Sequence, residues 1–190
     1  MQVEPAYEDF AAAYAAGRPC LLRTTLLGDL LTPVAAFIKL RHGRKGSAFL
    51  LESVEGGAAR GRYSMIGIDP DVVWRCRDGQ AEINREPARA PHEFSREHMR
   101  ALDSLRALIA ESAIPLEEGL PPMAAGLFGY LGYDMVRLME RLPEPNPDAL
   151  GVPDAILIRP TVMIVFDAVR DEIILLTPVR PQGGASAKVS

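Results

Sequence analysis

The chain is poor in the residues that most often carry chemistry. Its 190 residues include two cysteines, three histidines and one tryptophan, and aromatic residues make up 6% of the total. Cys20 and Cys76 lack the spacing of a metal or redox motif, and the length and apolar content argue against a disulfide scaffold. His42, His92 and His98 each lie beside charged or turn residues, so we expect them at the surface. No metal-binding or triad pattern emerges.

An excess of charge and a long apolar run are absent as well. The chain has 21 Lys and Arg against 25 Asp and Glu, and the basic residues are scattered rather than clustered. No window reaches the roughly 18 to 20 uninterrupted apolar residues of a membrane span. The N-terminus has neither the basic nor the apolar region of a secretory signal. We therefore expect a cytoplasmic protein that binds neither nucleic acid nor a membrane.

Two glycine-containing segments do not meet the spacing of phosphate-binding motifs. The run GRKGS at residues 43–47 lacks the GxxxxGK[ST] spacing, and Gly126, Gly129 and Gly132 do not fit GxGxxG. We interpret the second series as a buried strand whose missing side chains let a neighbouring backbone approach closely. A short helix from Asp134 to Arg141 is expected to follow it.

Helical and strand patterns alternate along the chain without a repeating βαβ register. Helices are predicted from Tyr7 to Ala16, from a Thr32-Pro33 start through Leu40, and from a Ser95 N-cap through Ile109. Predicted strands cover residues 20–27, 48–51, 63–68, 72–77, 80–84, 155–158, 162–167 and 172–177, and Asp78-Gly79 predicts a tight turn.

This order of elements predicts an α+β domain with a largely antiparallel sheet and interspersed helices. We assign residues 1–180 to one domain. Residues 181–190 are rich in Gly, Ala and Ser and are predicted to form a flexible linker or tail.

The stretch FLLESVEGGAARGRYSMIG, from Phe49 to Gly67, is the most informative feature. An apolar run leads to Glu52 and Ser53, a glycine-containing loop follows, and an apolar strand returns, which is the pattern of a hairpin. Such a hairpin can direct the carboxylate and the hydroxyl into the interior.

Further polar residues lie on the returning side of this hairpin, namely Arg60, Arg62, Tyr63 and Ser64. A carboxylate, a hydroxyl and a guanidinium on paired strands can together bind a zwitterion such as an amino acid. The alternative is that the acid and the hydroxyl are ordinary polar loop residues, which is the commoner role of such neighbours.

LLES at 50–53, EGG at 55–57 and GRYSMIG at 61–67 form the first of three stretches that resemble a known family. They are similar to the N-terminal region of anthranilate synthase component I. The segments from Gly126 to Pro143 and from Pro153 to Leu175 resemble its glycine-aromatic segment and the strands that close its N-terminal region. The resemblance extends from about Phe49 to Thr177.

The resemblance implies the N-terminal lobe of a two-lobed, chorismate-utilising lyase. The whole enzyme makes anthranilate and pyruvate from chorismate and glutamine-derived ammonia, in tryptophan biosynthesis. The resemblance further implies Mg²⁺ in a catalytic C-terminal chorismate-binding region, and a glutamine amidotransferase subunit, component II, as a partner. This chain stops before that region, so we expect it to be inactive alone, to bind no cofactor and to carry neither catalytic residues nor metal ligands.

The resemblance also implies a regulatory role, because the LLES segment helps bind the feedback inhibitor L-tryptophan in the family. Carried over by position, Ser53 is the principal candidate, with Leu51 and Glu52 beside it. The GRYS residues Arg62, Tyr63 and Ser64 are further candidates, although strand packing explains Tyr63 and Ser64 equally well.

Two alternatives remain. The first is the N-terminal region of aminodeoxychorismate synthase, a folate-pathway relative, and the second is a stand-alone amino-acid-binding module.

Overall fold

The computed structural model describes residues 2–28, 30–53, 61–116, 118–143 and 147–181. Within these residues it contains three α-helices, one 3-10 helix and eight strands. In chain order they are α1 (Tyr7–Ala15), β1 (Cys20–Leu27), α2 (Pro33–Arg41), β2 (Phe49–Leu51), β3 (Tyr63–Arg77), β4 (Gln80–Asn84), β5 (Ser95–Arg96), α3 (Ala101–Ser112), β6 (Phe128–Leu131), the 3-10 helix (Tyr133–Leu138), β7 (Ala155–Asp167) and β8 (Glu172–Val179).

The strands form one antiparallel sheet as far as their registers are described. Their order is β1-β8-β7-β3-β4-β5, with β2 paired to β3 and β6 paired to β7. All of the described registers, which include β1 with β8, β3 with β4 and β7 with β8, are antiparallel. The predicted α+β class with a largely antiparallel sheet is therefore confirmed.

The chain divides into two compact units. The first comprises Met1–Asp69, Ile114–Ala125 and Thr161–Ser190, and the second comprises Pro70–Ala113 and Gly126–Pro160. The long strands β3 and β7 contribute residues to both units.

In the first unit, helix α2 and the sheet enclose one apolar cluster. The helix begins as its sequence predicts: the Thr32 side chain accepts a hydrogen bond from the Ala35 N–H at 3.2 Å, and Pro33 follows the cap. The predicted core-facing residues Phe37 and Leu40 are partly buried against this cluster. Its buried members are Ala36, Ile66, Ile68, Ile164, Phe166 and Ile173.

Helix α1 covers the β1–β8 edge of the first unit. Phe10 and Tyr14, one helical turn apart, are both buried and pack with Val179. The predicted apolar edge of this short helix is confirmed.

In the second unit, α3 packs with β4 and the C-terminal half of β3. The turn between these strands has Asp78 at φ 49° and Gly79 at φ 73°, the left-handed pair that a two-residue hairpin requires. The core of this unit is built around Val72, Trp74, Cys76, Ala81, Ile83, Ala101, Leu105, Leu108, Met135 and Ala155.

The predicted start of α3 is wrong. Ser95 lies in β5 opposite Ile83, and α3 begins only at Ala101, after Arg100, which makes no side-chain cap. The backbone that follows Ser95 is used by the sheet, since the Glu97 N–H donates to the Ala81 carbonyl at 2.9 Å.

The glycine-aromatic segment is only partly as expected. Close backbone approach is confirmed, because a Cβ on Gly129 would lie 1.9 Å from the Ile156 carbonyl oxygen. The predicted burial is wrong: Gly129, Tyr130 and Leu131 are exposed, and among the described residues β6 pairs with β7 alone. The expected helix from Asp134 to Arg141 is a 3-10 helix that ends at Leu138.

Strand β7 is continuous where two strands are predicted. It passes through Arg159 and Pro160 without a break, so a proline that lacks the N–H donor is accommodated there within the strand. The predicted linker, residues 181–190, lies outside the described residues except for Pro181.

Other expectations concern the surface. His42, His92 and His98 are exposed, as predicted. Of the two cysteines, Cys76 is buried and Cys20 is half-buried. No helix in the described part of the chain is both long and apolar enough to cross a membrane.

Candidate functional site

The candidate site lies in the first unit, at one end of the β2–β3 ladder. Phe49 pairs with Gly67, Leu50 with Ile66, and Leu51 with Met65. Directly opposite residues share a face of the sheet, so Leu50 joins the fully buried Ile66 on the core side. Leu51, on the other face, is 50% exposed. The predicted hairpin is confirmed.

The register of this hairpin is fixed by a contact between an aromatic ring and a glycine. A Cβ on Gly67 would lie 2.3 Å from Cε1 of Phe49, so the ring occupies the space that any other side chain would need. Because one face of β2 is buried, a one-residue slip would move Leu50 out of the core. The contact of Phe49 with Gly67 and the burial of Leu50 together define where the LLES segment leaves the sheet.

Glu52 and Ser53 follow the last paired residue, and both are exposed. The expectation that the hairpin directs them into the interior is therefore wrong. The physical reason is the length of β2: three residues carry the chain across the core, and the ladder ends before the polar pair begins. Among the described residues, neither side chain has a hydrogen-bond partner that would occupy it.

Tyr63 and Ser64 open β3 and immediately precede Met65, the partner of Leu51. Both are half-buried. Antiparallel pairing places the start of β3 at the end of the ladder where β2 stops. The structure thus brings the LLES and GRYS residues to one end of one strand pair.

Arg62 lies just before β3 and is held by a residue far away in the sequence. Its Nε and Nη2 donate to the two carboxylate oxygens of Asp167, at 2.9 and 2.6 Å. The guanidinium also lies 4.8 Å from the centre of the Tyr63 ring, within the range of a cation–π contact.

Asp167 is 2% exposed and ends β7. Besides Arg62, it accepts hydrogen bonds from the N–H groups of Val169 and Arg170, at 3.0 and 3.3 Å. The bond from Arg62 is the main cause that lowers the pKa of the Asp167 carboxyl, and the same bond raises the pKa of Arg62.

Asp167 binds a residue of the candidate site, and sequence reasoning missed it. It stands 105 positions from Arg62, and nothing in the local pattern around it distinguishes it from any acidic residue before a turn. The remaining loop residues of the motif, Glu55, Gly56 and Gly57 together with Arg60, lie outside the described residues.

The side chains at this end of the ladder are suited to binding a ligand. An exposed carboxylate, an exposed hydroxyl and the apolar surface of Leu51 can receive an ammonium group and an apolar side chain. Within the described residues, no group of three or more His, Cys, Asp and Glu side chains could hold a metal ion, so we assign no metal site to them.

The second unit contains a further ion-pair network, built around the buried Arg159. Its guanidinium donates to both oxygens of Asp71, at 2.7 and 2.9 Å, and to Glu111 at 2.8 Å. Arg85 forms two more bonds with Glu111, both of 2.8 Å. Every partner is a protein side chain of the same unit, and we interpret this network as structural.

Comparisons with known proteins agree with the resemblance described above. No family model matches the chain. Anthranilate synthase component 1 of Cereibacter sphaeroides is 46% identical over 184 residues, which cover 97% of this chain and 37% of the relative. The protein of the same name from Thermus thermophilus is 38% identical over 169 residues, or 88% of this chain and 34% of the relative.

Among solved structures, anthranilate synthase component I from Streptococcus pneumoniae TIGR4 has a TM-score of 0.50 and 24% sequence identity. The match covers 83% of this chain and 31% of that one, and it supports the fold alone. The chain thus spans little more than a third of the length of these curated relatives.

Fold and site together define a class first: an α+β domain with an antiparallel sheet and an exposed polar site at a hairpin end. The sequence comparisons then show which proteins the chain is similar to. This chain is related to anthranilate synthase component I over a part of that protein, which the LLES and GRYS segments place in its N-terminal region.

Proposed function

We propose that this chain is the N-terminal regulatory region of an anthranilate synthase component I, and that it provides part of an L-tryptophan feedback site. The observation that carries the proposal is the exposure of Leu51, Glu52 and Ser53 together, at the point where β2 leaves the sheet. Side chains that are exposed at a fixed strand end remain available to a ligand.

The chemistry of the three residues suits an aromatic amino acid. The Glu52 carboxylate can accept hydrogen bonds from the ligand's ammonium group, and a charge-assisted bond of this kind is stronger than a neutral one. The Ser53 hydroxyl can either donate to the ligand's carboxylate or accept from its ammonium group. The exposed half of Leu51 offers apolar surface to the indole.

The expected binding strength is that of a reversible regulator. Burying an indole removes about 150 to 250 Å² from water, which is worth about 4 to 6 kcal/mol at about 25 cal/mol/Å². Part of this free energy is lost when the ligand is immobilised. A regulator also has to bind one conformation of the enzyme better than another, so the complete site would include residues outside this chain.

The reaction of the whole protein is part of the proposal. It would convert chorismate and ammonia from glutamine to anthranilate and pyruvate, with Mg²⁺ and with a glutamine amidotransferase subunit, in the cytoplasm. The catalytic C-terminal region would carry the chemistry, and the chain of 190 residues alone would be inactive. The name of the curated relatives supports this assignment over an aminodeoxychorismate synthase.

Calorimetry with L-tryptophan on the product of the complete reading frame tests the binding site. We expect the parent to bind and Ser53→Ala to weaken the affinity by at least about fivefold, since an unpaired polar group costs about 1 to 3 kcal/mol. Ser47→Ala is a matched control, because Ser47 is also exposed but lies before β2. A parent that does not bind L-tryptophan, or a Ser53→Ala variant with the parent's affinity, would contradict the proposal.

A second experiment tests the proposed division of labour. This chain is incubated with chorismate, Mg²⁺ and ammonium, and the fluorescence of anthranilate is followed. We expect no product. Sustained formation of anthranilate would show that the chain itself is catalytic.

A further inference from the structure

We infer that Arg62 is a positioning residue of the proposed tryptophan site: its ion pair with Asp167 fixes the start of β3, and it does not bind the ligand's carboxylate. The inference rests on the proposed function and extends it, because it names what holds the site in place.

The guanidinium of Arg62 is already occupied by a carboxylate of the protein itself. The Nε and Nη2 edge, which binds a carboxylate through two parallel hydrogen bonds, is taken by Asp167. One face of the guanidinium lies over the Tyr63 ring. A ligand carboxylate would have to displace Asp167 from that edge.

Displacing Asp167 would be unfavourable because its side chain is buried. The Asp167 side chain is 2% exposed, whereas that of Arg62 is 32% exposed. If Arg62 turned towards a ligand, the buried carboxylate would lose its cationic partner, and uncompensated buried charges are strongly unfavourable. The pair is therefore expected to stay intact when a ligand binds.

The main chain of Arg62 is held as well. The Ala168 N–H donates to the Arg62 carbonyl at 2.9 Å, and the Asp167 carboxylate accepts from the two N–H groups that follow Ala168. Arg62 is thus joined to the β7–β8 turn through its side chain and its backbone. The turn is tied to β1 as well, since the Gly28 N–H donates to the Asp171 carbonyl at 2.7 Å.

The consequence concerns the residues that follow Arg62. Tyr63 and Ser64 begin β3 where the β2–β3 ladder ends, which is the end from which Glu52 and Ser53 emerge. A fixed Arg62 keeps this end in one arrangement. Loosening the ion pair would let the start of β3 vary and would weaken a ligand that needs both strands.

The two roles make opposite predictions for Asp167. If Arg62 contacted the ligand, Asp167→Asn would free the guanidinium and would leave affinity equal or higher. If Arg62 positions β3, Asp167→Asn and Arg62→Lys remove the same bidentate pair. Both variants would then weaken binding, and the double variant would be no weaker than the worse single one.

The experiment measures the affinity of the complete reading-frame product for L-tryptophan and L-tryptophanamide by calorimetry. The proteins are the parent, Arg62→Lys, Asp167→Asn and the double variant. Arg44→Lys is the matched control, since Arg44 also pairs with an aspartate, Asp69, but in an exposed position. Thermal unfolding shows that each variant is folded at the assay temperature, and Asp167→Glu replaces Asp167→Asn if the latter does not fold.

We expect each single variant of the pair to weaken L-tryptophan binding by at least about fivefold, with strong non-additivity in the double variant. The preference for the acid over the amide should stay at the parent's value, and Arg44→Lys should bind as the parent does. A merely structural pair would lower the unfolding temperature while leaving the affinity of the folded protein unchanged.

Three results would overturn the inference: unchanged affinity in both single variants, full affinity in the Asp167 variant alone, or loss of the acid preference in Arg62→Lys. The proposed function fails separately. If Ser53→Ala weakens binding while the pair variants do not, only the positioning role is wrong. If the parent does not bind L-tryptophan, the site itself is wrong.

Discussion

The indole Nε1 of Trp74 donates a hydrogen bond of 2.9 Å to the hydroxyl of Ser104, and both side chains are almost completely removed from solvent. The hydroxyl in turn donates to Glu97 at 3.1 Å. Trp74 lies on β3 and Ser104 on α3, so this bond fixes how the helix sits on the sheet within the second unit.

Ser104→Ala is expected to destabilise the protein, because it leaves the buried indole N–H without its acceptor. The cost should be about 1 to 3 kcal/mol of the free energy of unfolding. Trp74 is the only tryptophan, so its fluorescence during urea unfolding reports directly on this position. The exposed Ser95→Ala serves as the control. Equal stability of the Ser104 variant and the parent would show that the bond contributes nothing.

The second prediction compares two glycines of the glycine-aromatic segment. Gly126 and Gly129 have similar positive φ values, 150° and 155°, but their surroundings differ. A Cβ at Gly126 meets nothing within 4 Å, whereas one at Gly129 would lie 1.9 Å from a backbone oxygen of β7. In both alanine variants, backbone strain should lower the free energy of unfolding by about 1 to 3 kcal/mol.

Gly129→Ala should cost at least about 2 kcal/mol more than Gly126→Ala, because the β7 backbone can yield only by breaking its pairing with β6. Urea unfolding of the two variants measures the difference. Similar losses in both would mean that the close approach of the strands is not needed for stability.

The third prediction concerns the contact that fixes β2. Gly67→Ala should displace the Phe49 ring and destabilise the protein by about 1 to 3 kcal/mol. In the double variant Phe49→Ala/Gly67→Ala the clash is removed, so the total loss should be smaller than the sum of the two single losses. Simple additivity in the double-mutant cycle would show that the two positions do not interact.

Three other positions show how much of the fold could be predicted from the sequence. The cap Thr32-Pro33 and the turn Asp78-Gly79 act within a few residues, and helix α2 and strand β4 form close to where predicted. Strand β3, which enters the same turn, is one strand where two are predicted, at 63–68 and 72–77. Ser95 failed as a helix cap because its two-residue strand β5 exists only through pairing with β4. A local pattern cannot reveal a strand whose stability comes entirely from its neighbour.

The candidate site was likewise only partly predictable from the sequence. The hairpin that carries Glu52 and Ser53 follows from alternating apolar and glycine-rich segments. Their exposure does not, because it depends on the residue at which the β2–β3 ladder stops. The pairing of Arg62 with Asp167 joins positions 105 residues apart and is created by the fold alone.

The last prediction is a pH dependence that originates at Glu111. Bonds from Arg85, and secondarily from Arg159, lower the pKa of this carboxyl from 4.5 to about 2. A carboxyl whose pKa is lower in the folded state stabilises the protein fully above its unfolded pKa. That contribution is lost as the pH falls from about 4.5 towards 2, because the unfolded chain then takes up the proton first.

Glu111→Gln should therefore flatten the decline in the free energy of unfolding between pH 4.5 and pH 3, measured with urea at several pH values. The Glu111 side chain is 40% exposed, so solvent screening reduces the effect to about 1 kcal/mol. A residual slope should persist, because Arg62 lowers the pKa of Asp167 in the same direction. Glu86→Gln is the control, since its partner Arg89 is 3.5 Å away and both are largely exposed. If Glu111→Gln and Glu86→Gln change the slope equally, the Arg85–Glu111–Arg159 network does not control acid stability.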